Sequence, residues 1–162
     1  MYDPVRICEI LNEEGVRYIV LGGFASVIHG STLPTRDIDV LPERSGENLE
    51  RLARALARMH AMIRTEDEPV PALLDAAFLD RSEFMLNLVG DHGEIDLVFR
   101  PAGSLEGFGG WQEHMVEVEI AVGVRINIAA LDDIIESKRA AGRPKDQAAL
   151  PYLESLRDEL RS

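Results

Sequence analysis

Cysteine is nearly absent from this sequence: Cys8 is the only one in 162 residues. No internal disulfide framework can staple such a chain, and a lone thiol fits a reducing, cytoplasmic setting. Within VRICEIL it reads as a small apolar residue on a helix. No apolar run approaches the roughly 18 residues that span a bilayer, and the opening MYDPVRICEILNEEG lacks the pattern of a secretion signal. Positive charge is scarce too, with 17 lysines and arginines against 29 acids and a net charge of −12. A general nucleic-acid binder presents a broad basic face, so that class is excluded. A polyanionic partner would have to meet a local basic patch, and the balance suits a small cationic or metal-escorted substrate. Repeats, low-complexity tracts and Gly/Ser linkers are missing as well, so residues 1–162 read as one domain with a core of its own.

What is present has the order of a mixed α+β fold. Val5, Ile7, Cys8, Ile10 and Leu11 recur at helical spacing, and Gly15 is placed to end that helix. VRYIVLG then reads as a buried strand, FASVIHG as a short helix closed by Gly30, STLPTR as a loop and DIDVL as a second strand. ENLERLARALARMHA is the clearest helix, with Leu49, Leu52, Leu56 and Met59 on one face and Ser45 at its start. Residues 66–82, broken by Pro69 and Pro71, read as irregular with at most a short helix. EFMLNLVG and GEIDLVF flank Asp91-His92 as a hairpin. PAGSLEGFGGWQEH reads as a glycine-rich loop, and MVEVEIAVGVRINIA as a hairpin or bent strand around Gly123. LDDIIESKRAA stops at Gly142, and Pro144 opens a last helix, so 131–162 form a C-terminal helical segment.

The chemistry lies in YIVLGGFASVIHGSTLPTRDIDV. An apolar strand ends in Gly22-Gly23, and thirteen residues separate Gly23 from Asp37-Ile38-Asp39. Alternate side chains of a strand share a face. Asp37 and Asp39 therefore project together, about 7 Å apart at the backbone, while Ile38 and Val40 turn to the core. Two like charges so placed repel unless a cation bridges them. GEIDLVF repeats the device, with Ile95, Leu97 and Phe99 inward and Asp96 outward. Three carboxylates on neighbouring strands make a hard-cation site suited to Mg²⁺ or Mn²⁺, and two such ions about 4 Å apart clamp a phosphoryl displacement. The glycine turn lets phosphate oxygens approach backbone N–H groups at a helix N-terminus.

This combination resembles the nucleotidyltransferase superfamily, the polymerase β-like fold: apolar strand, Gly-Gly or Gly-Ser, a gap, Asp-x-Asp, and a third acid on a later strand. With SKRAAGRPKDQ at 137–147, it is similar to a bacterial subgroup of abortive-infection (AbiEii-type) toxins and small antibiotic nucleotidyltransferases. The resemblance implies a mixed sheet flanked by helices. It implies transfer of a nucleoside monophosphate from a nucleoside triphosphate to a hydroxyl acceptor, with pyrophosphate released. Asp37 and Asp39 would ligate the metals of a two-metal site. Asp96 would bind the catalytic metal and help deprotonate the acceptor. Gly22 and Gly23 would approach the β- and γ-phosphates. Gly23 stands where many members carry a serine, and Ser26 is the candidate to replace that hydroxyl. Glu94 rivals Asp96, which is preferred because it lies deeper in its strand.

Arg36 is read either as neutralising Asp37 or as a triphosphate contact. Lys138, Arg139, Arg143 and Lys145 form the one local basic cluster; Lys138 and Lys145 are its phosphate candidates, and Asp146 reads as a helix-terminus charge. His29 is expected to steady the STLPTR loop. His60, His92 and His114 lack metal-ligand spacing. Phe108 and Trp111 either stack on a base or acceptor or anchor a surface loop. The acceptor is left open among an RNA end, a protein and a small molecule such as an aminoglycoside or lincosamide. An antitoxin-like partner and a homodimer completing the cleft are further expectations. The alternative of another class is a nucleotide-binding module without turnover.

Overall fold

Local capping signals set most of the helix boundaries. In the computed structural model, which describes residues 1–162, the Asp3 carboxylate accepts from the Arg6 N–H and starts helix α1 (Pro4–Glu13) with proline in its first turn. Strand β1 (Tyr18–Leu21) follows, then α2 (Gly22–His29), β2 (Asp37–Pro42) and α3 (Gly46–Arg58). Ser45 caps α3 by accepting from the Asn48 N–H. Next come β3 (Met62–Ile63), α4 (Ala76–Asp80), β4 (Met85–Gly90), β5 (Gly93–Val98) and α5 (Gly107–Gln112). The chain closes with β6 (Val116–Ala121), β7 (Val124–Ile128), α6 (Leu131–Ala141) and α7 (Pro144–Arg161). Gly142 ends α6 in the left-handed region at φ 65°, where a side chain would be strained.

The strands form one seven-stranded mixed sheet in the order β3-β4-β5-β2-β1-β7-β6. β2 runs antiparallel to β1 and parallel to β5, which pairs antiparallel with β4. The core draws on both sheet and helices: Ile19, Ile38, Val40 and Leu97 from the strands meet Ile7, Leu11, Leu52 and Leu56 from α1 and α3. A smaller cluster of Leu131, Ile135 and Leu153 joins α6 to α7. No helix is long and apolar enough to cross a membrane.

Three local expectations are revised. The glycine-rich stretch 101–114 is not loop throughout: it contains α5, and Trp111 on that helix is buried with 1% exposure rather than anchoring a surface loop. Its neighbour Phe108 packs under the Arg17 guanidinium, 5.9 Å from the ring centre. His29 reaches the Ala129 carbonyl at 2.8 Å, tying α2 to the end of β7. The STLPTR loop is held instead by the Tyr152 hydroxyl of α7, which receives the Thr32 N–H at 3.1 Å.

Candidate active site

The parallel register of β2 and β5 builds the site. It sets Asp37 beside Glu94 and Asp39 beside Asp96, and paired residues of neighbouring strands share a face. Ile38, Val40 and Leu97, one step out of phase, are fully buried on the other side. One carboxylate oxygen from each of Asp37, Asp39 and Asp96 lies within 4.8 Å of the other two. Glu94 is outside this trio, with its side chain 41% exposed and 3.8 Å from Arg64.

The glycine turn sits against this cluster. β1 ends at Leu21, which pairs with Asp39, and α2 begins at Gly22 itself, two residues earlier than the apolar pattern suggests. Gly22 has φ 64°, and a β-carbon there would stand 1.9 Å from Asp39 Oδ2. The space that the missing side chain leaves is thus used by a carboxylate. At Gly23 a β-carbon would stand 2.8 Å from Thr35 Oγ1, and that hydroxyl donates to the Asp37 carbonyl at 3.1 Å. The same carbonyl accepts from the Tyr2 hydroxyl at 2.9 Å. Both glycines therefore let the two aspartates of β2 approach the start of α2. Ser26 is buried and donates its hydroxyl to the Gly22 carbonyl at 3.0 Å.

Crowding three carboxylates has an electrostatic cost. Burial first, then the charge of Asp37, raises the Asp39 carboxyl above its ordinary range. Burial also raises Asp96, with hydrogen bonding to Asp37 and the charges of Asp37 and Asp39 adding to it, while Arg64 opposes the shift. Arg64 Nη2 lies 2.9 Å from Asp96 Oδ1. That contact is close in charge but not aligned as a hydrogen bond, and Asp96 Oδ1 is a buried oxygen without a hydrogen-bond partner. A buried, unsatisfied anionic oxygen beside two more carboxylates is the donor set of a hard divalent cation. The residues present fit such an ion.

Opposite the trio, α6 and the start of α7 supply cations. Lys138 Nζ is 3.6 Å from Asp146 Oδ1, and Arg143 Nε is 2.6 Å from Asp146 Oδ2. The Asp146 side chain is wholly buried. It caps α7 as expected of a helix-terminus charge, accepting from the Arg143 N–H at 3.3 Å, and it also anchors the two cations. Between sheet and helices lies a cleft of about 1050 Å³. Gly22, Gly23, Ser26, Arg36, Lys138 and Lys145 all line it, as do the three aspartates. Arg36 makes no ion pair with Asp37 within 4 Å; it and Lys145 are exposed on the cleft wall.

Every site residue expected from the sequence thus borders one cavity. Arg64, Asn87, Arg100 and Arg143 border it as well, and sequence reasoning missed Arg64, Asn87 and Arg100. The signal for Arg64 was faint, because it follows the two-residue strand β3, too short to show alternation. Its placement comes from tertiary pairing: the Arg64 N–H donates to the Asn87 carbonyl at 3.0 Å.

A family model described as a nucleotidyltransferase of unknown function (DUF6036) matches residues 6–152. The chain belongs to this family. Among solved structures, the chain is similar to a crystal structure from Thermotoga maritima described provisionally as a nucleotidyltransferase. The identity is 18%, the TM-score 0.58, and the match covers 99% of this chain and 96% of that one. At that identity the likeness establishes a shared nucleotidyltransferase-like fold. No curated protein matches the sequence. The narrower subgroup of abortive-infection toxins has no counterpart in these comparisons. In this chain the acidic trio and the glycine turn stand together at the junction of β1, β2 and β5.

Proposed function

We propose that this protein transfers a nucleoside monophosphate from a nucleoside triphosphate to a hydroxyl acceptor and releases pyrophosphate. The observation that carries this reading is the acidic trio, with oxygens within 4.8 Å of one another, set against a glycine turn that opens a helix. Asp37, Asp39 and Asp96 would hold Mg²⁺ or Mn²⁺, as a pair of ions, and these supply charge neutralisation at the reacting phosphate when bound.

The protein's own groups account for the rest. The backbone N–H groups that begin α2 face the cleft end where phosphate oxygens would bind. Lys138 and Lys145, with Arg36 across the opening, neutralise the triphosphate. Asp146, by pairing with Lys138 and Arg143, limits the freedom of those side chains before substrate arrives. Asp96, on the β4 side of the trio, is placed to accept the proton of the attacking hydroxyl. Rate enhancement comes from positioning and preorganised charge rather than covalent chemistry.

Calorimetry with each nucleoside triphosphate, with and without Mg²⁺ or Mn²⁺, tests the reading. Metal-dependent binding that Asp37→Asn/Asp39→Asn abolishes supports it and identifies the base. Equal binding by wild type and double variant, or none by either, refutes it.

A further inference from the structure

Helix α6 lays one stripe of side chains along the cleft: Ile134, Ser137, Lys138 and Ala141, three or four residues apart, all line it. The stripe is charged at Lys138 and apolar at Ile134, one turn or about 6 Å toward the helix start. Around Ile134 the structure closes a slot. The Ser104 N–H and hydroxyl both donate to the Glu136 carboxylate, at 3.1 and 2.6 Å, which pins the loop before α5 to α6. A β-carbon on Gly103 of that loop would stand 3.6 Å from the Ser137 α-carbon. His114, just after α5, reaches Asp133 in the first turn of α6 at 3.0 Å. These two ties bring Pro101 and Trp111 to the Ile134 end of the stripe. Leu21 and Val98 add to the lining from the sheet. Leu21, Val98, Pro101, Trp111 and Ile134 are all buried, and none is charged.

Trp111 is the anomaly in that lining, because its Nε1 is a buried atom without a hydrogen-bond partner. An indole N–H only donates, so what it lacks is an acceptor. Buried polar groups are otherwise almost always paired. An uncharged slot with one unmade donor suits a flat, neutral ring that bears an acceptor on its edge. A phosphate, or a sugar with several hydroxyls, would strand polar groups there. The slot adjoins the proposed reaction centre, since Leu21 pairs with Asp39 and directly precedes Gly22. We infer that the slot takes the base of the nucleoside triphosphate, and that the Trp111 N–H donates to a ring nitrogen or carbonyl oxygen of that base. The inference rests on the function proposed above and adds the residue by which this chain tells one nucleotide from another. The nucleotide then lies along the α6 stripe, with its base at Ile134 and its negative charge at Lys138.

Trp111 is the only tryptophan of the chain, so its emission reports on this slot alone. The test titrates the protein in Mg²⁺ with each nucleoside triphosphate and with inorganic tripolyphosphate, followed by tryptophan fluorescence and by calorimetry. The expected result is a saturable change in emission with the preferred nucleoside triphosphate, at the concentrations where calorimetry shows binding. Tripolyphosphate binds but leaves the emission unmoved. Trp111→Phe keeps a ring in the core and removes the N–H; it weakens the preferred nucleoside triphosphate about tenfold and leaves tripolyphosphate affinity unchanged. Ser137→Leu, at a half-buried position on the helix, fills the slot while Trp111 still reports. It brings nucleoside triphosphate affinity down to that of tripolyphosphate. Nucleoside triphosphate binding that leaves the emission unmoved overturns this inference alone. So does an equal emission change with tripolyphosphate, or a Trp111→Phe protein that binds both ligands as wild type does or loses both equally. Failure of wild type to bind either ligand overturns the function on which the inference rests.

Discussion

Asp39→Asn should make the metal-free protein more stable at pH 8. The carboxyl of Asp39 is held up to about 6 by burial and by Asp37, against an ordinary value of 3.8. A folded-state value above the unfolded one means that ionisation is disfavoured in the fold. The penalty is complete above the folded value and fades as pH falls toward the unfolded one. A shift of about two units corresponds to about 3 kcal/mol. The attraction of Lys138 and Lys145 is already contained in that value, so a gain of about 3 kcal/mol is expected. For a chain of this size that raises the melting temperature by about 6–12 °C. At pH 5 the unfolded aspartate is still mostly ionised while the folded one is largely protonated, which reduces the gain to about half. The assay is thermal unfolding of wild type and variant in chelator at both pH values, repeated with Mn²⁺. Mn²⁺ raises the wild-type midpoint and leaves the variant's nearly unmoved. A variant no more stable than wild type at pH 8, or equally stabilised at both pH values, would refute the electrostatic reasoning.

Gly22→Ala puts a β-carbon against Asp39 Oδ2 and forces φ 64° on an L-residue. It should cost about 2–3 kcal/mol in stability and abolish Mn²⁺ binding, read by thermal unfolding and calorimetry. Asp146→Ala strands the two cations beside a newly emptied buried site; a loss of about 2–3 kcal/mol is expected, with weaker triphosphate affinity than Asp146→Asn shows. Tyr2→Phe removes one of the two hydroxyls on the Asp37 carbonyl, costing about 1 kcal/mol and lowering Mn²⁺ affinity while the triphosphate's own affinity changes less. Because protons compete with metal at Asp39 and Asp96, wild-type Mn²⁺ affinity should fall steeply as pH drops from 7 to 5 and rise only about twofold from pH 7 to 8. Titrations across this range would show an unchanged affinity if the carboxyls were ordinary.

The elements with a clear period were legible in the sequence. α3, with Leu49, Leu52 and Leu56 at helical spacing, and β2, with Ile38 and Val40 alternating against two aspartates, announce both their type and their buried face. The third carboxylate was legible for the same reason, since Asp96 sits between Ile95 and Leu97. What escaped has no period to read. β3 is two residues long, and half of α5 is glycine, a residue of very low helix propensity, so Trp111 burial holds it rather than propensity. The contact that brings Arg64 to Asp96 depends on how β3, β4 and β5 stack across the sheet, which local patterns do not encode.

The glycines separate what a motif conveys from what it does. From the sequence, Gly22 and Gly23 read as leaving room for phosphate, since a turn without side chains exposes backbone N–H groups. In the fold their first service is internal. Asp39 fills the volume above Gly22, and Thr35, above Gly23, braces the Asp37 carbonyl. The two uses are compatible, because the N–H groups of α2 point along the helix axis while the missing β-carbons would point sideways at β2. A serine in place of Gly23 would put its β-carbon 2.8 Å from Thr35 Oγ1. Gly23→Ser should therefore need Thr35 to move. Paired with Thr35→Ala it should recover metal and triphosphate binding that the single change loses, at the expense of one brace on Asp37. If Gly23→Ser alone bound the triphosphate as well as wild type, the glycine would be there for the phosphate and not for Thr35.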